Sequence, residues 1–346
     1  MAETSVDNNK LSSLFPVPTK LNCQSNGYRR YESYPNGRGS IPSIQAATLR
    51  GLMLQAHADD SKILALPCSY DALSSKLVEN AGFPAVFLSG FPVSSSLGLP
   101  DTGYIAFQEM ASRIQETVRQ VKVPIIADAD TGYGSPMNVR RTVQGFALAG
   151  AAGIMIEDQK WPKRCGHTKG KAVVARDEAF ARIQAAVDAR DEGLDIWILA
   201  RTDSLIHGYD EALARIKKFI EIGVDCVFVE AMPDQETMQR LRRDINFPCL
   251  ANIIEGGKTE NISAKDLASL GYSAVCYPLT LVAAKLKSIC EALENLKSSL
   301  TVGKPPEILS FQDVCRGVGF DEYYKLEERY PYGGATNGSV INGSHS

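Results

Sequence analysis

Residues 149–158, with the sequence AGAAGIMIED, contain the unit that decides the fold. Gly150 suits the position just after a helix, an apolar run follows it, and Glu157 and Asp158 end the run. The run is apolar throughout instead of alternating, which is typical of parallel strands buried on both faces. Seven further runs of this kind begin near residues 63, 85, 124, 196, 226, 248 and 273.

The stretches between these runs, such as 176–190 and 209–222, carry apolar residues at helical spacing. Eight buried strands alternating with helices match a (β/α)8 barrel, whereas a doubly wound sheet more often has about five or six strands. No glycine-rich dinucleotide fingerprint follows the first run. The sequence therefore predicts an α/β fold, a (β/α)8 TIM-type barrel.

The composition excludes several classes of protein. The chain has 346 residues, 44% of them hydrophobic, and a formal net charge of −3, so it offers no basic surface for nucleic acid. No run approaches 18 uncharged apolar residues, and we expect no membrane span. The eight cysteines are scattered without a CxxC pair, which is typical of a reducing compartment. We predict a cytoplasmic location.

The chain divides into four predicted parts. Residues 1–44 are rich in Ser, Asn, Pro and Gly and predict a mobile N-terminal arm. Residues 45–300 form one continuous body, the barrel catalytic domain. Residues 301–330 are predicted to be a helical extension, and residues 331–346 a disordered tail.

Polar residues follow six of the predicted strands, at the barrel end where chemistry collects. They include Ser89, Asp128, Glu157, Arg201, Glu230 and Asn252. Packing alone does not explain such residues at six neighbouring strand ends. They are typical of a metal-assisted site for an anionic substrate.

The acidic residues predict a metal site. Asp128 and Asp130 are two apart on a segment expected to be extended, so their carboxylates should point the same way. With Glu157 from the next strand, they would repel one another unless a cation neutralised them. Oxygen ligands without histidine favour Mg2+ or Mn2+. Alternatively, residues 128–132 form a loop-capping Asx turn, which leaves Glu157 and Arg201 unexplained.

The loop after the fourth strand, about 158–174, is longer than the usual 2–6 residues or so and predicts a lid. Cys165 lies between Lys163 and His167, and neighbouring cations lower a thiol pKa toward neutrality. Gly166 allows close approach of the backbone to a ligand. The alternative is an exposed basic loop with an incidental cysteine. We interpret the other seven cysteines as packing residues.

Four motifs together resemble the isocitrate lyase and phosphoenolpyruvate mutase superfamily. They are DADTGYG at 128–134, EDQ at 157–159, KRCGH at 163–167 and ARTD at 200–203. The resemblance covers roughly residues 45–300. It is greatest to the short members, namely 2-methylisocitrate lyase, dimethylmalate lyase, oxaloacetate acetylhydrolase and petal death protein. Phosphonate mutases look different because they lack the KRCGH run.

The resemblance implies a homotetramer, a dimer of dimers in which neighbouring subunits exchange the eighth helix. It implies Mg2+ (or Mn2+), often held through water, by Asp128, Asp130 and Glu157 with Asp101 nearby. The implied catalytic residues are Cys165 and Arg201, together with Lys163 and His167. The implied positions for binding a small carboxylate substrate are Ser89, Gly90, Gly166, Arg201, Glu230, Asn252, Glu255 and Pro278.

The implied reaction cleaves a carbon–carbon bond in a 2-hydroxy di- or tricarboxylate, giving an oxo acid and a carboxylate. Cys165 on the closed lid would protonate the carbon that leaves. Pro278 stands where oxaloacetate acetylhydrolases carry a serine, which counts against that hydrolysis. Ala283 stands where 2-methylisocitrate lyases carry an arginine, which would leave one carboxylate of a tricarboxylate unpaired. These two departures favour a methylated malate.

Two alternatives remain open at this point. One is an oxaloacetate-type carbon–carbon hydrolase. The other is a catalytically inactive barrel that serves as a binding protein, although the three carboxylates, Arg201 and Cys165 are all present.

Overall fold

The structure is a computed structural model that describes residues 36–257 and 259–330. Eight parallel strands pair in chain order and close into a barrel, so the predicted (β/α)8 fold is confirmed. The last strand pairs with the first, with Cys276 opposite Leu66. The strands are β1 Leu64–Ser69, β2 Val86–Leu88, β3 Ile125–Asp128, β4 Gly153–Glu157, β5 Trp197–Thr202, β6 Cys226–Val229, β7 Cys249–Asn252 and β8 Ala274–Tyr277.

Helices surround the barrel. They are α1 Ile44–His57, α2 Ala72–Asn80, α3 Gly90–Ser96, α4 Phe107–Val118, α5 Pro136–Ala149, α6 Arg176–Asp191, α7 Tyr209–Ile222, α8 Gln235–Asp244, α9 Ala264–Ser269, α10 Thr280–Ser299, α11 Phe311–Val318 and α12 Phe320–Glu327. Gly150 ends α5 at a φ of 104°, a left-handed conformation that glycine adopts at little cost.

The apolar residues form two layers. One fills the barrel interior with side chains such as Leu66, Phe87 and Trp197. The other lies between strands and helices and includes Ile154 and Phe146. Because both faces of each strand are buried, the strands are apolar throughout, as the sequence indicated.

Residues 36–43, part of the predicted N-terminal arm, are attached to the barrel. Ile41 pairs with Leu194, and the amide of Ser40 donates to the carbonyl of Asp191 at 3.1 Å. The ordered body therefore begins before residue 45. Residues 1–35 of the arm and the predicted tail, 331–346, lie outside the described residues.

The C-terminal helices project from the barrel. Val282 is the one buried residue of α10, and α11 and α12, within the predicted extension, have none. A row of apolar side chains along α10 is exposed instead, comprising Leu286, Ile289, Leu293, Leu296 and Leu300. In the described ranges, neither α10 nor any other helix is long and apolar enough to cross a membrane.

Candidate active site

A cavity lies at the C-terminal end of the barrel, beneath the loop 158–174. Its volume is about 40 Å3, enough for only a few water molecules, so the loop is in a closed position. Most of the predicted site residues line it, namely Ser89, Asp101, Asp128, Glu157, Lys163, Cys165, Gly166, His167, Arg201, Glu230, Asn252 and Pro278.

Asp128 ends β3, and both of its oxygens accept hydrogen bonds. Oδ1 accepts from the amide of Asp130 at 3.0 Å, and Oδ2 accepts from the amide of Gly90 at 2.9 Å. The first bond forms the Asx turn that the sequence offered as an alternative. Asp130 has a φ of 48°, so the prediction of an extended segment was wrong. This turn nevertheless keeps both carboxylates beside Gly90.

Lys163 extends from the loop into a set of largely buried acids, called here the acidic group. Its members are Asp101, Asp128, Asp130 and Glu157. The Nζ of Lys163 lies 2.8 Å from Asp130 Oδ1 and also contacts Asp101. The three side chains are at most 9% exposed. Burial opposes a charge on the lysine, but Asp130, Asp101 and Asp128 together raise its pKa well above the usual value. The loop therefore places the charged Lys163 ammonium beside Asp101 and Asp130.

Burial makes full ionisation of these acids unfavourable unless a cation is close by. Burial, with help from Asp128 and Asp101, raises the pKa of Asp130 to about 7 despite the nearby Lys163. Burial also raises the pKa of Glu157 well above its usual value. Glu157 Oε1 is buried and has no hydrogen-bond partner among the described residues. These acids fit a further cation.

The described ranges contain no group of three Asp, Glu, His or Cys side chains arranged to ligate one ion directly. Binding of a cation by Asp128, Asp130 and Glu157 through water stays a prediction. Mg2+ is commonly bound by one or two carboxylates and several waters, and this manner of binding fits the residues present.

Arg201 lies at the centre of the cavity wall. Its Nε is 3.1 Å from Glu157 Oε2, and its Nη2 is 2.9 Å from Glu230 Oε2. Asp203 accepts from both of these nitrogens, at 2.9 and 3.2 Å. The ring of Phe228 lies 5.3 Å below the guanidinium carbon. Within the described chain, Nη1 has no hydrogen bond, so this nitrogen is available to a ligand.

The loop is held down over Glu230. A Cβ added to Gly166 would lie 2.4 Å from the Glu230 side chain, so only glycine permits this approach. The next residue, His167, places Nε2 3.2 Å from Glu230 Oε1. Burial would raise the pKa of Glu230, but Arg201 and His167 outweigh it and lower the pKa to about 2. Asn252 lies 3.4 Å from the same carboxylate.

Cys165 lines the cavity, but its predicted activation by cationic neighbours was wrong. Lys163 and His167 are paired with carboxylates elsewhere, and Arg164 donates to the carbonyl of Lys169. Burial instead raises the pKa of the Cys165 thiol. The thiol therefore stays protonated at neutral pH, the state that a proton donor requires.

Three predicted site residues lie outside the cavity lining. Gly90 and Asp130 lie just behind it, through their contacts with Asp128 and Lys163. Glu255 is exposed and accepts a hydrogen bond from Thr280 Oγ1 at 2.6 Å. In this closed structure, Glu255 is not positioned to contact a ligand in the cavity.

Sequence reasoning missed the apolar part of the wall, made by Phe87, Phe91, Met155, Phe228, Ile254 and Leu279. Phe91 directly follows Ser89 and Gly90, and Leu279 directly follows Pro278, so adjacency to predicted site residues was an available signal. An apolar residue near a strand end otherwise resembles ordinary core.

Some of the other cysteines are buried packing residues, as predicted, and others are not. Cys68, Cys226, Cys249 and Cys276 are buried, as predicted, but Cys290 on α10 is exposed and Cys315 is partly exposed. Cys23 lies outside the described residues.

A closed (β/α)8 barrel with carboxylates, an arginine and a cysteine-bearing loop at its mouth defines a class of enzymes that act on small anions. The phosphoenolpyruvate phosphomutase family matches residues 54–297, and the chain belongs to it. The resemblance to the isocitrate lyase and phosphoenolpyruvate mutase superfamily is thereby confirmed.

The chain is similar to three proteins whose named activities are related. The chain is 36% identical to 2,3-dimethylmalate lyase of Eubacterium barkeri, over 83% of this chain and 99% of that protein. It is 40% identical to 2-methylisocitrate lyase of Aeropyrum pernix, over 80% of this chain and 90% of that protein. The structure of oxaloacetate acetylhydrolase with 3,3-difluorooxalacetate has a TM-score of 0.75 at 30% identity, covering 82% of this chain and 96% of that one.

Proposed function

We propose that the protein is a Mg2+-dependent carbon–carbon lyase that cleaves an alkyl-substituted 2-hydroxy dicarboxylate into an oxo acid and a carboxylate. The observation that carries the proposal is the shared cavity, in which the protonated Cys165 thiol lies in the same wall as Arg201 and the acidic group. Such an arrangement combines a proton donor, an anion-binding group and a potential cation site in one enclosed space.

The residues proposed to hold Mg2+ (or Mn2+) are Asp128, Asp130 and Glu157, with Asp101 beside them. The close placement of the Asp128 and Asp130 carboxylates and the unpartnered Glu157 Oε1 support this role. When bound, a divalent cation supplies Lewis-acid stabilisation of negative charge on substrate oxygens.

The chain's own residues account for the remaining steps. Nη1 of Arg201 is free to bind a substrate carboxylate, and Ser89 makes no capping hydrogen bond at the start of α3, so its hydroxyl is also available. A base accepts the substrate hydroxyl proton, and the oxygen electrons form the new carbonyl as the carbon–carbon bond breaks. The bond electrons pass to the departing carbon, and the Cys165 thiol protonates it. The closed loop separates the cavity from bulk solvent and leaves room for only a few water molecules, which disfavours hydrolysis.

The residues of the cavity wall favour a substrate that carries an alkyl group. Phe91, Ile254 and Leu279 present apolar surface, and Pro278 offers no hydrogen-bond donor where a hydrated ketone would need one. Ala283 is exposed in the first turn of α10 and contributes no guanidinium for a third carboxylate. These features favour a methylated malate. The similarity to 2-methylisocitrate lyase makes that tricarboxylate the second candidate.

A substrate panel tests the function. We expect 2,3-dimethylmalate to be cleaved with Mg2+ at a higher kcat/KM than 2-methylisocitrate, and oxaloacetate to be hydrolysed least, because the wall is apolar beside Pro278. Products would be followed by NMR, with phosphonopyruvate included to detect phosphorus–carbon chemistry. Preferred hydrolysis of oxaloacetate would replace the lyase by the hydrolase, and no turnover of any compound would support an inactive binding protein.

We propose that the protein assembles as a homotetramer, a dimer of dimers with α10 exchanged between neighbours. The apolar row on α10 has spacings of three and four residues, which place it on one face of the helix. Its exposure in a single chain supports coverage by a second copy.

The assembly has a direct test. Light scattering should give a mass near four times 37.6 kDa at micromolar concentration. Leu293→Glu places a charge in the middle of the apolar row and should shift the protein to smaller species. Asn295→Glu adds the same charge off the row and should leave the mass unchanged. A monomeric wild-type protein would contradict the proposal.

The location remains a proposal. The seven cysteines in the described ranges are free, and this supports a reducing compartment such as the cytoplasm.

A further inference from the structure

Asp203, just after β5, holds one edge of the Arg201 guanidinium. Its Oδ2 accepts from Nε at 2.9 Å, and its Oδ1 accepts from Nη2 at 3.2 Å. Glu157 and Glu230 form ion pairs with the same group at 3.1 and 2.9 Å. A two-point contact fixes the plane of a guanidinium, which single contacts do not. The free Nη1 is therefore held in a defined direction.

Buried hydrogen bonds also fix the backbone of Asp203. Its amide donates to Asp158 Oδ1 at 2.9 Å. Asp158 Oδ2 in turn accepts from Thr202 Oγ1 at 2.6 Å and from Arg215 Nη1 at 3.0 Å. All of these groups are buried. Asp203 is thus a rigid support for the arginine.

Lys171 binds the same carboxylate from the far end of the loop. Its Nζ donates to Asp203 Oδ1 at 2.7 Å, and its side chain is only 5% exposed. Backbone hydrogen bonds hold this end of the loop, from Lys160 to Ala172 at 2.8 Å and from Val174 to Asp158 at 3.0 Å. The lysine is therefore fixed at the base of the loop.

The charges explain why a lysine is needed there. The Arg201 guanidinium faces three carboxylates, those of Glu157, Asp203 and Glu230. Without Lys171, the negative charge around the guanidinium would repel an incoming substrate carboxylate and draw the arginine toward its neighbours. Lys171 offsets the charge of Asp203 while leaving its oxygens bonded to Arg201.

We propose that Asp203 and Lys171 act together as positioning residues, which orient Arg201 so that Nη1 meets a substrate carboxylate. The inference rests on the proposed role of Arg201 in binding a dicarboxylate. It adds that affinity for the substrate depends on a lysine and an aspartate that do not touch it.

The test compares Lys171→Met with Lys169→Met, which removes a charge from an exposed lysine on the same loop. Malonate binding would be measured by calorimetry with Mg2+ present, and kcat and KM on 2,3-dimethylmalate in parallel. We expect Lys171→Met to raise the malonate Kd and the KM by about 100-fold, the size expected when a binding group is misplaced by about 1 Å. Because carboxylate binding contributes to ground and transition states alike, kcat should change less.

Two further variants test the proposal. Lys171→Arg should restore most of the affinity, and Lys171→Met combined with Asp203→Asn should be little worse than either single variant, since the two residues act as a unit. If Lys171→Met does not fold, Lys171→Gln replaces it, with a thermal melt confirming folding. Wild-type malonate affinity in the Lys171 variant, or equal effects of the two methionine variants, would overturn the proposal.

Different experimental results would overturn the positioning role of Lys171 and Asp203 and the proposed lyase function. If malonate binding depends on Lys171 as expected but no 2-hydroxy dicarboxylate is cleaved, the positioning role stands and the lyase does not. If 2,3-dimethylmalate is cleaved with unchanged KM in Lys171→Met, the lyase stands and the positioning role is wrong.

Discussion

Exhaustive removal of divalent cations is expected to abolish turnover of the true substrate, and added Mg2+ or Mn2+ should restore it. The reason is the buried acidic group: burial raises the pKa of Asp130 to about 7, so its ionised form needs a nearby cation, and Glu157 Oε1 has no hydrogen-bond partner among the described residues. Lys163 lies beside Asp130 but does not return its pKa to the ordinary range. Turnover would be measured before and after chelation, and binding of Mn2+ by electron paramagnetic resonance.

The Asp128→Ala variant tests cation dependence at a single proposed metal-binding residue. We expect a loss of turnover of about 1000-fold, or about 4 kcal/mol of transition-state stabilisation, in keeping with the size of a Lewis-acid contribution. Mn2+ affinity should fall in parallel. Asp60→Ala, at an exposed acid after α1, serves as the control and should change neither quantity. Undiminished activity of fully chelated wild-type protein would remove the cation from the mechanism.

The barrel and the position of its site were predictable from local pattern. Each strand is a short apolar run, and polar side chains such as Glu157 and Glu230 follow directly, so their position on the strand ends can be derived from sequence. Closure of the sheet then brings these side chains together. Asp128 and Asp130 were placed correctly beside each other, but through an Asx turn that the extended-segment argument did not anticipate.

The charge pairing at the site was not predictable in this way. Lys163 pairs with Asp101, 62 residues away in the chain, and Lys171 pairs with Asp203, 32 residues away. Sequence neighbours suggested instead that Lys163 and His167 act on Cys165. In the folded chain those cations are engaged with carboxylates, and burial determines the direction of the thiol pKa shift.

Glu255 illustrates the same limit for a loop. It follows β7, and the family resemblance implied that it contacts the substrate. A hydrogen bond from Thr280 at the start of α10 holds it outside the cavity. Which way a mouth residue turns depends on such a partner from another element, and no local pattern specifies it.

Replacement of Cys165 by serine is expected to lower turnover by about 100-fold to 10,000-fold, the usual contribution of general acid–base catalysis. The thiol lines the cavity, and its raised pKa keeps it protonated, as a donor to the departing carbon must be. Serine has nearly the same shape, but its hydroxyl gives up a proton far less readily. The variant should fold normally, since Cys165 is on the covering loop and is only partly buried.

Dicarboxylate binding should survive in this variant, because Arg201 and Ser89 are unchanged, and malonate calorimetry would measure it. In the wild type, activity that requires the protonated thiol should be retained at neutral pH and lost as pH rises through the raised thiol pKa, above the ordinary value of about 8.5. Cys290→Ser is the matched control, since Cys290 is exposed on α10 and remote from the cavity lining. Alkylation at alkaline pH, where the thiolate forms, should inactivate the wild type and the Cys290→Ser variant alike, with protection by bound substrate. Near-full turnover of Cys165→Ser, or inactivation that maps to Cys68 or Cys276, would move the proton donor away from the loop.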